Sequence, residues 1–268
     1  MFILQLVGGW RARHEMEFAA SREHDLKPWW IVSKSTRILD LANGRLHPQS
    51  MILDVAGCRV FGVDLANLPT SGWTDRLYHI ARWLYALRIY PWRASRQCRL
   101  ICGDVACLPL EEDTFDLITS VAAFEHFLDV PSVVSDLNRV LRPGGLVWVS
   151  IHPFTCPSGG HNLKLMEIPL RTLPRGVDAW DHLRKRRLPF HVPLNEWRVS
   201  QYLDEFSRHF EILNHYCALR EGEHFLTPEI ITELSAYSPD ELTCGAFVIV
   251  ARKREVMGGA SSTTNAGK

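Results

Sequence analysis

The chain has 268 residues, which suits one α/β domain with an added segment, or at most two small domains. Its 30 Lys and Arg residues balance its 30 Asp and Glu residues, so no global field favours nucleic acid or an anionic membrane. No stretch approaches the length of a membrane span, and the run Met1–Val7 is too short for a signal sequence. We therefore expect a cytoplasmic protein that binds neither nucleic acid nor membrane.

The seven cysteines form no recognisable framework. Their number is odd, their spacings are scattered, and the cluster Cys98, Cys102 and Cys107 lacks the CxxC pair that is typical of zinc sites. We interpret them as reduced, mostly buried thiols of a cytoplasmic protein. No cluster of carboxylates demands a metal ion, so we expect no metal site.

Residues 1–36 are interpreted as an N-terminal cap segment with a short helix, Arg11–Lys27. The first strand after it has two candidate positions. In the first register the strand covers 37–41, a loop covers 42–46, and a helix runs from about Pro48 to Ala56, with Gly57 as its stop. In the second register the strand covers 51–55, and only four residues precede the next strand. A parallel crossover needs about ten residues or more, so geometry favours the first register, although the local text MILDVAGCRVFGVD keeps the second open.

The stretch Leu100–Ile151 determines the predicted fold. Two apolar runs rich in β-branched residues, Phe115–Val121 and Leu146–Ile151, are typical of buried strands. Val133–Leu141 has helical spacing between them, and Pro143-Gly144-Gly145 is expected to stop that helix. A strand, a helix and a strand in this order make a βαβ unit, which predicts a parallel sheet.

The other predicted elements follow from the same periodicities. Further helices are expected at Asp75–Ile89, Glu196–Arg208 and Pro228–Tyr237, and further strands at Val60–Val63, Cys98–Cys102, Phe210–Ala218 and Cys244–Arg252. Prolines and glycines break the alternation in residues 156–198. The small, polar residues 256–268 are predicted to be a disordered tail.

A family resemblance rests on the ordered series GDVACLPLEEDTFDLI, FEHFLD and LNRVLRPGG within residues 103–145. The series resembles the class I, Rossmann-like methyltransferases that use S-adenosylmethionine, especially their small-molecule branch. The resemblance implies a doubly wound, mostly parallel seven-stranded α/β sheet with an antiparallel last strand. It assigns residues 37–155 to the cofactor-binding core, 156–198 to a lid-like substrate insertion and 199–255 to the remainder of the sheet.

The resemblance also implies roles for individual residues. Asp64 would bind the ribose hydroxyls of the cofactor, Asp104 and the backbone of Val105 would bind the adenine, and the loop around Gly44 would hold the methionine part. The full set of candidate cofactor-binding residues is Asp40, Gly44, Asp64, Leu65, Asp104, Val105 and Ser120. The family favours three alternating glycines in the first loop, whereas this chain keeps only Gly44, and we expect Leu46 to crowd the approach of the cofactor.

Two histidines are candidate catalytic groups. His126 follows the fourth strand as part of a Glu-His pair, and an imidazole has a suitable pKa for a general base. His161 lies in the Pro- and Gly-rich loop after the fifth strand, where it is a candidate for contact with the acceptor. No metal is implied by the resemblance, because methyl transfer from a sulfonium depends chiefly on positioning.

The acceptor is expected to be small, a sugar or another secondary metabolite. The motif Trp180–Arg184 is similar to insertions in methyltransferases of glycan and polysaccharide biosynthesis, and the basic run Arg184–Arg187 suits the phosphates of a nucleotide-sugar or a solvated face. Two other hypotheses stay open. A methyltransferase fold with a degenerate first loop would be a binding or vestigial protein, and a nicotinamide-dependent enzyme is disfavoured by the missing GxGxxG loop.

Overall fold

The computed structural model describes residues 10–67, 72–89, 98–165 and 171–255. The run Met1–Val7 and the predicted tail at 256–268 lie outside the described residues. The described backbone contains a seven-stranded sheet with the spatial order β3-β2-β1-β4-β5-β7-β6. In chain order its strands are β1 (Arg37–Leu41), β2 (Arg59–Val63), β3 (Arg99–Ile101), β4 (Phe115–Val121), β5 (Leu141–Ile151), β6 (Phe210–Arg220) and β7 (Cys244–Lys253).

Helices flank the sheet on both faces. They are α1 (Trp10–Leu26), α2 (Pro48–Val55), α3 (Trp73–Ile89), α4 (Val130–Val140), α5 (Asp181–Arg184), α6 (Val199–His209), α7 (Pro228–Glu233) and α8 (Pro239–Leu242). Short 3₁₀ turns cover Leu65–Asn67, Phe124–His126, Leu163–Leu165 and Glu223–Phe225. Among the described residues, no helix combines the length and the apolar character needed to span a bilayer.

The strand directions confirm the predicted fold class. Strands β1 to β5 pair in parallel with one another, whereas β7 runs antiparallel to both β5 and β6. The order reverses between β1 and β4, which lie side by side. In open α/β sheets this switch point is where ligands bind, at the carboxyl ends of the strands.

The structure confirms the first register for the start of the sheet. Helix α2 lies between β1 and β2, and these strands pair in parallel from Arg37 opposite Arg59 to Leu41 opposite Val63. Pro48 occupies the first turn of α2, where its missing N–H costs no hydrogen bond. The residues between β1 and β2 therefore supply the complete crossover that geometry demanded.

The start of β5 differs from the prediction. Helix α4 ends at Val140, and β5 begins at Leu141 instead of Leu146, so Pro143-Gly144-Gly145 lies inside the strand. Leu141 pairs with Phe115 and Leu146 with Leu117, which places a bulge between these two pairs. Gly144 has φ +73°, and a Cβ on Gly145 would lie 2.8 Å from the Arg142 carbonyl. The glycines therefore permit a bulge where the sequence pattern indicated only a helix stop.

Each face of the sheet has its own apolar core. On one face, α4 contributes Val133 and Leu137 and α6 contributes Phe206. On the other face, α1 contributes Leu26 and α2 contributes Leu53. Burial of these side chains stabilises the domain by about 1.5–3 kcal/mol each. The two cores fix the carboxyl ends of β1, β2, β4 and β5 at one edge.

Candidate active site

The first loop and the end of β2 are joined by Asp64. This residue directly follows β2, and its carboxylate accepts hydrogen bonds from the backbone N–H groups of Gly44 (2.8 Å) and Ala66 (2.7 Å). Each carboxylate oxygen has a second lone pair, and the side chain is only partly buried. Asp64 can therefore hold the loop and accept further hydrogen bonds from a ligand.

The first loop has an unusual backbone. Ala42, Gly44 and His47 all have positive φ, at 51°, 62° and 50°. The missing Cβ of Gly44 faces open space, with no atom within 4 Å. Leu46 is 4% exposed and packs with Met51 and Tyr85. The expected crowding by Leu46 is therefore wrong, because this side chain belongs to a core cluster while the backbone at Gly44 stays open.

The side chain of Asn67 connects the first loop to β2 and β3. Its side-chain amide donates to Asn43 Oδ1 (3.2 Å) and to the carbonyls of Gly62 (3.2 Å) and Ile101 (2.9 Å), and its Oδ1 lies 3.1 Å from His47 Nε2. Burial lowers the pKa of His47 to about 4, so the ring is neutral near pH 7. Within the described residues, the buried Asn43 Nδ2 has no hydrogen-bond partner. A Cβ on Gly62 would lie 2.5 Å from this nitrogen, so the Asn43 amide packs against β2 in space that a glycine leaves free.

Asp40 does not line the surface of the site. It is 2% exposed, and its Oδ2 accepts a 2.5 Å hydrogen bond from Ser50 Oγ on α2. Arg22 of α1, which is 3% exposed, donates to Gln49 Oε1 (2.8 Å) and Thr119 Oγ1 (3.3 Å). This buried polar network ties β1, β4, α1 and α2 together behind the first loop. The structure therefore places Asp40 in this buried network and not among the groups that a cofactor can contact, contrary to the predicted role.

Asp40 gives a pH-dependent prediction. Burial raises the pKa of its carboxyl from 3.8 to about 6, although the Ser50 hydrogen bond and the charge of Arg22 oppose this. The folded protein binds this proton more tightly, so the contribution to stability is present below about pH 4 and is lost as the pH rises through 6, by at most about 3 kcal/mol. We expect the unfolding free energy of wild type minus that of Asp40→Asn to fall by about 2 kcal/mol between about pH 4.5 and 7.5, which is the part of this loss that lies within that range.

Urea titrations of both proteins across that range measure the difference directly. The subtraction matters because buried histidines such as His47 shift the stability of both proteins in the opposite direction. A difference that is independent of pH would contradict the assigned burial of a titrating Asp40.

The predicted adenine side lies at the end of β3. Asp104 is exposed, and its Oδ1 accepts from the backbone N–H of Ala106 at 2.9 Å. Val105 is 8% exposed and joins the core, whereas the side chain of Leu65 is 64% exposed. An exposed apolar side chain next to an exposed carboxylate suits the face and the amino edge of a heterocyclic base.

Ser120 lies in the sheet itself. It is fully buried on β4, and its hydroxyl donates to the Leu41 carbonyl at 3.3 Å. Strands β1 and β4 end in the same way. The N–H groups of Ala42 and Ala122 continue the hydrogen bonding to Val63 (2.7 Å) and Ser150 (2.8 Å), and both residues then turn with φ near +50°. Ser120 therefore helps to fix this edge rather than to line it.

The predicted catalytic histidines do meet. The rings of His126 and His161 lie 4.8 Å apart, and the ring of His152 lies 4.7 Å from that of His161. His126 Nδ1 lies 3.0 Å from the Pro193 carbonyl, which can only accept, so Nδ1 carries the proton and Nε2 keeps its lone pair. Burial lowers the pKa of His161 to about 3 and that of His152 to about 4. All three rings lie at the carboxyl edge of β4 and β5.

Sequence reasoning missed the acidic partner of these rings. Glu125 is 1% exposed, and burial raises the pKa of its carboxyl to about 8. Its Oε2 accepts a long, 3.4 Å hydrogen bond from the backbone N–H of His152. The Glu-His pair was visible in the sequence, but its approach to His161 depends on the path of the loop after β5.

The predicted insertion packs directly on this edge. Asn195 donates from its amide to the carbonyls of Phe124 (2.7 Å) and Phe127 (2.9 Å), and it accepts from Tyr202 at 2.8 Å. Trp180 is fully buried, and its indole N–H lies 3.1 Å from the Thr155 carbonyl. Residues 171–198 therefore contact both the 3₁₀ turn that carries His126 and the loop after β5.

Comparison with known proteins agrees with this architecture. Residues 39–149 match a methyltransferase domain family. Over 223 residues the chain is 30% identical to the sterol 24-C-methyltransferase of Saccharomyces cerevisiae, a match that covers 72% of this chain and 54% of the relative. The chain spans between 31% and 54% of the length of the first curated relatives.

Two solved structures share the fold. One is geranyl diphosphate C-methyltransferase from Streptomyces coelicolor A3(2), solved with Mg²⁺, geranyl diphosphate and S-adenosyl-L-homocysteine; it has a TM-score of 0.52 at 14% identity, covering 89% of this chain and 81% of that one. The other is phosphoethanolamine N-methyltransferase 2 from Haemonchus contortus with S-adenosyl-L-methionine, which has a TM-score of 0.50 at 16% identity and covers 86% and 51%. Residues 39–149 are thus similar in sequence to methyltransferase domains, and the described sheet has the fold of these two enzymes.

Proposed function

We propose that this protein transfers a methyl group from S-adenosylmethionine to a small-molecule acceptor. The main support is the open loop at the switch point of the sheet, where Gly44 leaves the backbone uncovered and is hydrogen-bonded to Asp64. The methyltransferase-domain match and the cofactors named for the two solved structures indicate S-adenosylmethionine as the cofactor. Its sulfonium supplies the electrophilic methyl group.

The residues at this edge fit that cofactor. Asp64 has free lone pairs for two ribose hydroxyls, and exposed Asp104 accepts from an amino group on the base beside Leu65 and Val105. The uncovered backbone at Gly44 suits the methionine part of the cofactor. Asp40 and Ser120 hold the two central strands behind these groups.

The acceptor side is formed by the loop after β5 and the insertion. In this proposal residues 156–198 act as the substrate lid, and His126 removes a proton from the acceptor through the lone pair on Nε2. His161, which is a weak base because it is buried, contacts the acceptor instead. The named substrate of the yeast relative favours an apolar small molecule, whereas a sugar acceptor rests on the Trp180–Arg184 motif alone. Seven free thiols are consistent with a cytoplasmic location.

Calorimetric titration with S-adenosylhomocysteine tests the cofactor site. Gly44→Ala places a methyl group in the open space, so we expect the Kd to rise at least about tenfold. Gly176→Ala is the matched control, because Gly176 also has positive φ (78°) and no atom within 4 Å of its missing Cβ. The backbone strain is then comparable, and only the Gly44 variant should lose affinity.

Two outcomes would count against the function. No binding of S-adenosylhomocysteine at millimolar concentration would leave a binding or vestigial protein with a methyltransferase fold. Equal effects of Gly44→Ala and Gly176→Ala would place the cofactor away from the first loop. Methyl transfer from labelled S-adenosylmethionine to sterol, isoprenoid and sugar acceptors then identifies the acceptor class.

A further inference from the structure

Three ligand-bearing side chains converge beside the predicted acceptor pocket. Glu125, His126 and His161 each offer one ligand atom, and these atoms lie within 4.8 Å of one another. The distance from Glu125 Oε1 to His126 Nε2 is 3.9 Å, which is too long for a hydrogen bond. The three groups therefore surround a small space without closing it by contacts of their own.

Two of the facing atoms are unsatisfied. Within the described residues, the buried Glu125 Oε1 and His161 Nε2 have no hydrogen-bond partner. The side chain of Glu125 is only 1% exposed, so bulk water does not compensate for the missing partner. A buried acceptor without a partner costs about 1–3 kcal/mol, and more if it is charged. Such atoms in a native fold call for a ligand that the protein itself does not provide.

The hydrogen bond of the His126 ring also favours metal binding. When its Nδ1–H donates to the Pro193 carbonyl at 3.0 Å, the neutral ring keeps its lone pair on Nε2, which lies 3.9 Å from Glu125 Oε1. A ring nitrogen that donates to a backbone carbonyl is the usual support for a metal-binding histidine, since it fixes both the tautomer and the ring plane. The Glu125 carboxylate is steadied similarly, through the His152 backbone N–H on Oε2.

We propose that Glu125, His126 and His161 bind a divalent first-row transition metal ion, for which zinc is the probe. Two imidazoles and one carboxylate form a ligand set that zinc accepts, with bonds of about 2.0–2.2 Å. Ligand atoms around such an ion lie about 3.3 Å apart, so closing the observed spacings needs shifts of roughly 1 Å. The proposal departs from the sequence-based expectation that no metal is bound.

A neighbouring cluster is a weaker candidate. His152, Cys156 and Glu221 also bring ligand atoms within 4.8 Å of one another. Their polar atoms are already engaged, however, because His152 Nε2 lies 2.7 Å from Ser158 Oγ, which donates to Glu221 at 2.5 Å. This cluster serves to hold His152 against the proposed metal site.

Three protein ligands leave a coordination position for an oxygen of another molecule. Metal binding itself does not require methyl transfer. The role that we give the bound ion, however, rests on the proposed function. There a metal-bound His126 would have no lone pair left on Nε2, so the ion would replace His126 as the group that activates the acceptor hydroxyl, by holding its oxygen and lowering its pKa.

Zinc titration into the metal-free 268-residue chain tests the site by calorimetry. We expect one zinc ion per chain and a rise in Kd of at least about 100-fold in Glu125→Gln and in His161→Ala. His191→Ala is the matched control because His191 is exposed, and its Kd should stay within about twofold of wild type. Circular dichroism checks the fold, and Glu125→Gln, which keeps the side-chain shape, decides the matter if His161→Ala fails to fold.

Substitution with cobalt gives a second readout on the wild-type chain. Visible d–d bands without a thiolate charge-transfer band are expected for a site of nitrogen and oxygen ligands. A thiolate band, or zinc affinity lost in Cys156→Ala but kept in His161→Ala, would move the metal to the neighbouring cluster and overturn the proposal. Absence of zinc binding would overturn it as well, while leaving the titration with S-adenosylhomocysteine unaffected.

Discussion

Replacing Asp64 by alanine is expected to raise the Kd for S-adenosylhomocysteine at least about 100-fold. In the proposed complex the carboxylate accepts two ribose hydroxyls, and hydrogen bonds to a charged acceptor contribute about 1.5–3 kcal/mol each. The same substitution removes the acceptor of the Gly44 and Ala66 backbone N–H groups. The first loop then loses its link to β2, so the methionine side of the site is weakened together with the ribose side.

Asp204→Ala is the control for this prediction. Asp204 is exposed on α6, away from the carboxyl edge, and the substitution removes the same charge from the chain. Calorimetry on both variants separates a local contact from a general effect of net charge. A Kd within about threefold of wild type in Asp64→Ala would show that this residue does not bind the cofactor.

Replacing Arg22 by methionine is expected to lower the unfolding free energy by about 3–5 kcal/mol. Arg22 is 3% exposed and reaches Gln49 and Thr119 from α1. Its positive charge also favours the ionised form of the buried Asp40. Methionine fills a similar volume but leaves the amide and hydroxyl oxygens unpaired and the Asp40 charge without compensation.

Urea unfolding near neutral pH measures this loss. Arg13→Met is the control on the same helix, because Arg13 is exposed, and its effect should stay within about 0.5 kcal/mol. The double variant Arg22→Met, Asp40→Asn should recover part of the loss, since it no longer buries an unpaired carboxylate. If Arg22→Met is as stable as wild type, the buried network does not join α1 to the sheet.

The fold could be predicted because its signals are local. Buried strands such as Phe115–Val121 and the helical spacing of residues 133–141 follow from runs of a few residues. The register of β1 followed from a length argument, since a crossover of four residues cannot reach a parallel neighbour. The bulge in β5 was missed because Pro-Gly-Gly after a helix has the same sequence pattern whether the chain turns or enters a strand.

The candidate site was harder to predict from the sequence than the fold. The position of Asp64 at the end of β2 could be predicted from the preceding strand pattern, and its role in cofactor binding stays a prediction. Arg22 meets Thr119 from 97 positions away, and Glu125 meets His161 across the loop after β5. Sequence periodicity carries no information about contacts between residues that are distant in the chain. Leu46 was predicted to crowd the cofactor because a leucine stands where the family favours a glycine. Its side chain instead packs against Met51, away from the loop surface, and the sequence does not show this contact.

The paired left-handed ends of β1 and β4 have a consequence for how this protein could change its chemistry. Ala42 and Ala122 each have a backbone conformation that costs about 1–2 kcal/mol in a residue other than glycine. The hydrogen bonds and packing of the sheet offset that cost. In the proposed complex this main-chain edge faces the cofactor, whereas the proposed acceptor side is formed by side chains of the predicted insertion. If both assignments hold, substitutions among residues 171–198 should change acceptor preference while the affinity for the cofactor stays constant.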